Sequence, residues 1–418
     1  MKYKRIGNRI WKGPPAEKKF DMTEEPKGQK WYFVGFIWAG TTLRRWAHRV
    51  KVKKVNMEGV KPPYLLFCNH NSFYDFYIMS SLIKPHKGHF PGAVDDFIGR
   101  EWIARRIGIL PTRKFTTDMN LVLVGRRVIK NGELYGIYPE ARYSLCGITE
   151  VIPDSAGQLI KFFKVPVVTI KMKGNHIYNP YWNMRSYRWF LRTEAEHTLL
   201  LTKEQIKKMS AEEINEKLRE ALWNDDWRWQ SENRVKVKKK TRAEGLHNVL
   251  YKCPNCGCET KMSSKGAEIF CGDCNKKWTL NYYGELEVEN GETEFKFPSD
   301  WYKWEREEVK KEVYAGTYRT ECDVKVNDLP NSKGFIYMGE GHLVHDSDGF
   351  KLKGIREYDA EEFNMDIPEE IGGGQAVHHA GYTLMRQGIG EDAAAGSMLT
   401  ILFDIFGSKA GLQGDVVH

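Results

Sequence analysis

The stretch Tyr64-Leu65-Leu66-Phe67-Cys68-Asn69-His70-Asn71-Ser72-Phe73-Tyr74-Asp75 changes character at its midpoint. Tyr64 to Cys68 is a short, uninterrupted apolar run, which predicts a buried strand. The residues after Asp75 predict a helix. His70 therefore falls at a strand-to-helix turn, with a carboxylate one helical turn away. That pairing suits a general base: the Asp orients the imidazole and stabilises its protonated form while the other ring nitrogen takes a proton. The spacing alone is common, and a lone His after a strand is more often a solvated or capping residue, so the surroundings decide.

Those surroundings repeat the pattern. Ile107-Gly108-Ile109-Leu110-Pro111-Thr112-Arg113 is a short apolar run ending in an arginine. Leu134-Tyr135-Gly136-Ile137-Tyr138 is strand-like and runs into Pro139-Glu140-Ala141-Arg142-Tyr143-Ser144, and Val165-Pro166-Val167-Val168-Thr169-Ile170 is a further strand candidate. The first three blocks each place polar residues just past an apolar run, where open α/β sheets bind ligands. Taken singly, Arg113 reads as a surface arginine and Pro139-Glu140 as a turn. One fold that accounts for all four placements is the stronger explanation.

In that order, His70-x4-Asp75, Arg113, Pro139-Glu140 and Val165-Pro166-Val167 resemble the glycerolipid acyltransferases of the PlsC type, over about residues 30 to 200. The resemblance implies an α/β fold with a sheet flanked by helices. It also implies transfer of an acyl chain from acyl-coenzyme A or an acyl carrier protein to glycerol-3-phosphate or a lysophospholipid. His70 and Asp75 match the family's catalytic dyad. Arg113 and Glu140 match residues that help bind the phosphate-bearing acceptor, and Asn69, Arg142 and Ser144 are placed at the same site. The third family block usually reads Phe-Pro-Glu-Gly-Thr-Arg-Ser; here Ala141 stands at the Gly, and the arginine comes one place early with Tyr143 in its slot. In the implied reaction His70 takes the proton of the attacking hydroxyl. Such a base contributes about 10²- to 10⁴-fold in rate. Amides at the start of the helix after Ser72 would meet the developing negative charge. No Gly-x-Ser-x-Gly elbow is present, so no acyl-enzyme is required.

Charge is uneven. Residues 1 to 60 hold 15 Lys and Arg against 5 Asp and Glu, within a net charge of +9 for the whole chain. The same segment contains Trp31 to Leu43, an uncharged aromatic run followed by Arg44, Arg45, His48 and Arg49. A spanning helix needs about 20 apolar residues, so this run is read as lying in the headgroup region of an anionic bilayer. A core-packed amphipathic helix is the plainer alternative. No secretory signal is expected, and the location expected is the cytoplasmic face of the membrane, peripherally bound. Nucleic acid is not the expected partner, since the aromatics favour lipid.

Eight cysteines are present, four of them as Cys253-x2-Cys256 and Cys271-x2-Cys274. Two such knuckles predict one tetrahedral, structural Zn²⁺ in a zinc ribbon. Disulfides or free thiols are the competing reading, disfavoured in a reducing compartment. The ribbon reads as a stabilising or docking module. If the altered third block marks a degenerate scaffold, it would instead make this a nucleic-acid- or protein-binding protein.

The expected organisation is a basic aromatic segment (1–60), an acyltransferase domain (61–233), a solvated basic linker (234–249), the ribbon (250–285) and a β-rich accessory region (286–364). Within it, 154–163 predicts a helix, Ser210-Ala211-Glu212-Glu213 a capping box opening another, 280–297 a strand pair, 301–313 a helix, and 342–353 a hairpin turning at Asp348-Gly349. Residues 365–418 hold 10 Gly and carry no assigned role.

Overall fold

The amino-terminal half builds one sheet. Helix α1 (Trp31–Ala47) leads to β1 (Lys51–Val55), β2 (Leu65–Cys68), α2 (Asp75–Leu82), β3 (Gly88–Ala93), α3 (Glu101–Arg106), β4 (Ile109–Thr112), α4 (Met119–Lys130) and β5 (Leu134–Ile137). There follow α5 (Ser155–Phe163), β6 (Val167–Lys173), α6 (Asn175–Tyr178), β7 (Glu194–Leu201), α7 (Lys203–Lys208), α8 (Ala211–Leu222) and α9 (Asp226–Glu232). The computed structural model describes residues 20–21, 29–112, 119–183, 191–259, 261–328, 332–333, 336–346, 349–355, 362–368 and 412–415.

The seven strands lie in the order β1-β7-β6-β2-β5-β3-β4. From β6 to β4 every pair is parallel; β7 runs antiparallel to β6, and β1 is parallel to β7. Central β2 is buried throughout, as its unbroken apolar run requires. Its alternation divides the core in two. Leu65 and Phe67 face Val128, Ile160, Ile214 and Leu218. Leu66 and Cys68 join the layer that holds Ile78, Met79 and Trp301. The capping box is formed: Ser210 Oγ accepts from Glu213 N at 3.1 Å and Glu213 Oε2 accepts from Ser210 N at 2.7 Å.

The second half adds β8 (Met262–Lys265), β9 (Glu268–Cys271), β10 (Lys277–Leu280) and the two-residue β11 (Leu286–Glu287) as a small antiparallel sheet. Helix α10 (Pro298–Tyr314) follows. Last come β12 (Arg319–Asp328), β13 (Ile336–Asp346), β14 (Gly349–Ile355), β15 (Glu362–Pro368) and β16 (Leu412–Asp415) in a five-stranded antiparallel sheet. The β13–β14 hairpin has the expected place, with Asp346 opposite Gly349; Ser347 and Asp348 lie outside the described residues, as does the apolar run at 399–406.

Two expectations need correction. The strand pair at 280–297 shrinks to β10 against β11, and the chain from 288 to 297 is irregular. The basic stretch 234–249 is not a solvated linker. Val237, Ala243, Leu246 and Val249 are buried, Val237 N donates to Tyr282 O at 2.8 Å, and Arg242 Nε donates to Leu280 O at 2.6 Å. Arg234 lies 3.6 Å over the Tyr283 ring. The charges sit on long stems that can cover apolar surface while the heads stack on aromatic faces.

Candidate active site

Asn69 fastens the turn after β2. Its amide donates to Met172 O at 2.8 Å and its Oδ1 accepts from Met172 N at 2.7 Å, which continues the β2–β6 pairing through a side chain. Asn71 adds a bond to the same carbonyl at 3.1 Å. Asp75, the first residue of α2, is fully buried. Its Oδ2 accepts from Asn71 N at 2.6 Å and Ser72 N at 2.9 Å, and lies 3.2 Å from His70 Nδ1. Its Oδ1 accepts from Asn175 Nδ2 at 2.6 Å. Three donors therefore fix the carboxylate before it meets the imidazole. Of the amides after Ser72, expected to face developing charge on a substrate, Tyr74 N is donated to Ser72 Oγ at 3.2 Å and Asp75 N to Ser72 O at 3.0 Å.

The His70 ring lies between two tyrosines. Its centroid is 4.1 Å from that of Tyr138, nearly parallel at 25°, and 4.2 Å from that of Tyr143 at 43°. With Nδ1 turned to Asp75, Nε2 is the nitrogen left for a proton acceptor role.

The third block supports this ring from behind. Glu140 Oε1 accepts from His70 N at 2.8 Å and Oε2 from Glu150 N at 2.7 Å. Ser144 N donates to His70 O at 2.7 Å, and Ser144 Oγ donates to Ile148 O at 2.6 Å. Both polar groups of the His70 backbone are thus held by this one loop. Burial pushes the Glu140 carboxyl up to about 8, against the pull of its two amide donors. Arg142 is buried and lies 2.7 Å from Glu150 Oε2, the oxygen that Arg306 of α10 also reaches at 2.8 Å. Tyr302 of the same helix donates to Glu150 Oε1 at 3.4 Å. Burial alone would push Glu150 up, but the two guanidiniums outweigh it and hold the carboxyl below its ordinary range.

The sequence-derived residues other than Arg113 are therefore brought together. His70 and Asp75 touch. Asn69, Glu140, Arg142 and Ser144 are buried in internal hydrogen bonds and an ion pair, so the described side chains build a support for the turn that carries His70. Arg113 lies outside the described residues. Asn175, Tyr302 and Arg306 went unread in the sequence because each reaches the site from far along the chain, and Glu150 because no local motif marks it. Tyr143 was visible as the occupant of an arginine's place, but its stacking on His70 was not.

The four cysteines form a second cluster. Cys253 Sγ lies 3.7 Å from Cys274 Sγ and Cys256 Sγ lies 3.8 Å from Cys271 Sγ, and all four sulfurs fall within 4.8 Å of one another. A tetrahedron with metal–sulfur bonds of about 2.3 Å has edges of about 3.8 Å, so the four thiols can hold a metal ion. They are too far apart for disulfides, whose sulfurs lie about 2.05 Å apart. Cys258 stays outside the set, its sulfur 3.5 Å from Glu259 O.

No curated protein matches the chain. Among solved structures it is similar to the 1-acyl-sn-glycerophosphate (LPA) acyltransferase PlsC from Thermotoga maritima, at 17% identity and a TM-score of 0.37, over 46% of this chain and 77% of that one. The family model described as Acyltransferase matches residues 49–173, a span that contains His70, Asp75, Glu140 and Glu150 and stops short of the cysteine cluster and α10. This part of the chain is a domain of the acyltransferase family, with acyl transfer as the general chemistry it supports.

Proposed function

We propose that the protein transfers an acyl chain from a thioester of coenzyme A or an acyl carrier protein to a hydroxyl of a lysophospholipid or glycerol-phosphate acceptor at a membrane surface. The observation that carries this reading is the His70 Nδ1–Asp75 Oδ2 contact of 3.2 Å at the end of a central strand. His70 Nε2 takes the proton of the acceptor hydroxyl as its oxygen attacks the thioester carbonyl. The C–O bond forms, the C–S bond breaks, and the departing sulfur takes a proton back from the imidazolium. Asp75 fixes the tautomer and stabilises that imidazolium. The tyrosines flanking the ring leave its edge as the approach for the hydroxyl. Glu140, Arg142, Ser144 and Asn69 act as positioning residues, and contact with an acceptor phosphate falls to Arg113.

Access from a bilayer is supported by α1. No helix among the described residues is long and apolar enough to cross a membrane. Yet Trp31, Phe36 and Trp46 are 79%, 80% and 76% exposed, with Leu43 between them on the same outward face. Aromatic and aliphatic side chains so displayed beside Arg44 and Arg45 suit insertion to headgroup depth on an anionic, cytoplasmic-facing leaflet. The cysteine cluster is read as a structural Zn²⁺ site held by Cys253, Cys256, Cys271 and Cys274, stabilising the fold rather than joining the reaction. Cys253 and Cys271 are buried in the core that holds Trp278 and Trp301, while Cys256 is exposed, and the two buried thiols support a stabilising role.

The test is thioester consumption by the purified protein with a panel of lysophospholipid and glycerol-phosphate acceptors. His70→Ala and Asp75→Asn are each expected to lower turnover by about 10²-fold or more, with unchanged circular dichroism. Ordinary turnover by His70→Ala sinks the mechanism. Turnover that needs no acceptor would make the protein a thioester hydrolase.

A further inference from the structure

Away from the dyad, a pocket of about 540 Å³ opens between α1, β1 and the carboxyl end of α2. Three cations converge on it from three elements: Arg45 of α1, Lys54 of β1, and Lys84 just past α2. Thr42 and Ser81 also line it, the Ser81 hydroxyl donating to Ile78 O at 2.7 Å, and among the described residues no carboxylate lines it. The Arg45 Nε and Thr42 Oγ1 atoms are buried without a hydrogen-bond partner among the described residues.

The neighbouring lysines show that this is not the ordinary state of the strand. Lys51 and Lys53 pair across to Glu194 and Glu196 of β7, at 3.3 and 3.4 Å. Lys54 has the opposite parity, so with Val52 it projects to the other face, into the pocket. Its partner in register is His197, pushed down to about 4 by burial and by Lys54 itself, so it stays neutral beside the cations. The carboxyl ends of α1 and α2 supply only about half a negative charge each, against three cations. Like charges from separate elements are held together around open space.

We propose that this pocket binds a phosphate group. Two sources fit its place in the fold. One is an anionic phospholipid headgroup at the bilayer that α1 meets. The other is a soluble organophosphate reaching a point about 10 Å along α2 from Asp75, at 1.5 Å per residue. The inference does not depend on turnover, since binding is read directly.

The experiment uses the full chain in two arms. One measures co-sedimentation with phosphatidylcholine vesicles with and without phosphatidic acid. The other titrates inorganic phosphate and adenosine 3′,5′-bisphosphate calorimetrically. Arg45→Gln/Lys54→Gln/Lys84→Gln is compared with Lys51→Gln/Lys53→Gln/Lys61→Gln, which removes the same charge outside the pocket. The pocket variant is expected to weaken binding at least about 10-fold in one arm, given what basic residues contribute near anionic surfaces, with little loss in the control. A loss confined to vesicles assigns the site to a headgroup, and a loss in the titration assigns it to a soluble phosphate. Equal losses in both variants, or no binding by the wild type in either arm, overturn the proposal. The single Lys54→Gln and Lys84→Gln variants, at exposed side chains, keep the test decisive if the triple variant misfolds.

Discussion

Glu140 joins two segments that must meet at His70, one amide from each on its two carboxylate oxygens. Burial places its native pKa at about 8, above the ordinary 4.5. A carboxyl raised in this way contributes stability that is fully present below its unfolded pKa and is lost as the pH rises through the native one. Glutamine keeps one acceptor and does not titrate. The stability margin of wild type over Glu140→Gln should therefore shrink between about pH 5 and about pH 8, by at most about 1.4 kcal/mol per pH unit. Urea unfolding of both proteins at the two ends of that range reads the margin; one that widens with pH contradicts the assignment. The next residue holds a different kind of strain. Ala141 has φ 56°, a left-handed conformation that costs an L-residue about 1–2 kcal/mol. Glycine relieves this but gives back about 0.4–1 kcal/mol through its freer unfolded chain. Ala141→Gly is expected to stabilise the protein by up to about 1 kcal/mol in the same unfolding assay, and a clear destabilisation would mean that the methyl group packs usefully. The sequence displayed the unusual alanine; the backbone angle that gives it meaning appears only in the fold.

At the scale of elements, legibility followed sequence distance. β2 and β5 could be read because each is a short uninterrupted apolar run, β6 because it opens on Val167, Val168 and Ile170, and α8 because its capping box and its Ile214, Leu218 and Leu222 spacing are local. The packing of 234–249 could not, because lysine and arginine stems bury only when Tyr282 and Tyr283 of a later turn lie under them. The same holds for α10. Its existence was readable at 301–313, but nothing local says that Tyr302 and Arg306 reach back to Glu150, more than 150 residues earlier. That contact makes α10 a brace for the loop that clasps His70. Breaking one partner out of a buried ion pair costs about 3–5 kcal/mol; since Arg142 stays on Glu150, Arg306→Leu should cost less, about 2 kcal/mol. The sharper expectation is kinetic. Turnover number should fall about 10-fold or more, with the Michaelis constant for thioester little changed, and Arg306→Lys should restore part of it. A variant that loses stability but keeps full turnover would leave α10 a purely structural neighbour.

The whole molecule does not divide where composition changes. One continuous hydrophobic cluster runs from Leu66 and Ile170 of the large sheet through Leu246 and Cys253 to Trp278, Trp301 and Tyr302. The residue before the first cysteine knuckle is tied to α10 through both its backbone groups: Trp301 Nε1 donates to Lys252 O at 2.9 Å, and Lys252 N donates to Glu305 Oε1 at 2.8 Å. A path of direct contacts therefore leads from the cysteines to Lys252, to α10, to Glu150, to Glu140 and to the backbone of His70. If the four thiols hold Zn²⁺, removing it frees four sulfurs with no other cross-link in the knuckles, and structural zinc sites contribute to folding outright. A ribbon hung on a solvated linker would melt alone and leave acyl transfer intact. A ribbon sharing this core cannot. Dialysis against a strong chelator, or Cys253→Ser, is expected to lower the midpoint of a single cooperative melt, to change the emission of the buried Trp278 and Trp301, and to reduce thioester turnover over the same range of metal loss. Re-addition of zinc to the chelated protein should reverse all three. Turnover that persists at full rate after the metal is gone, with tryptophan emission already changed, would show that the path breaks between α10 and Glu150.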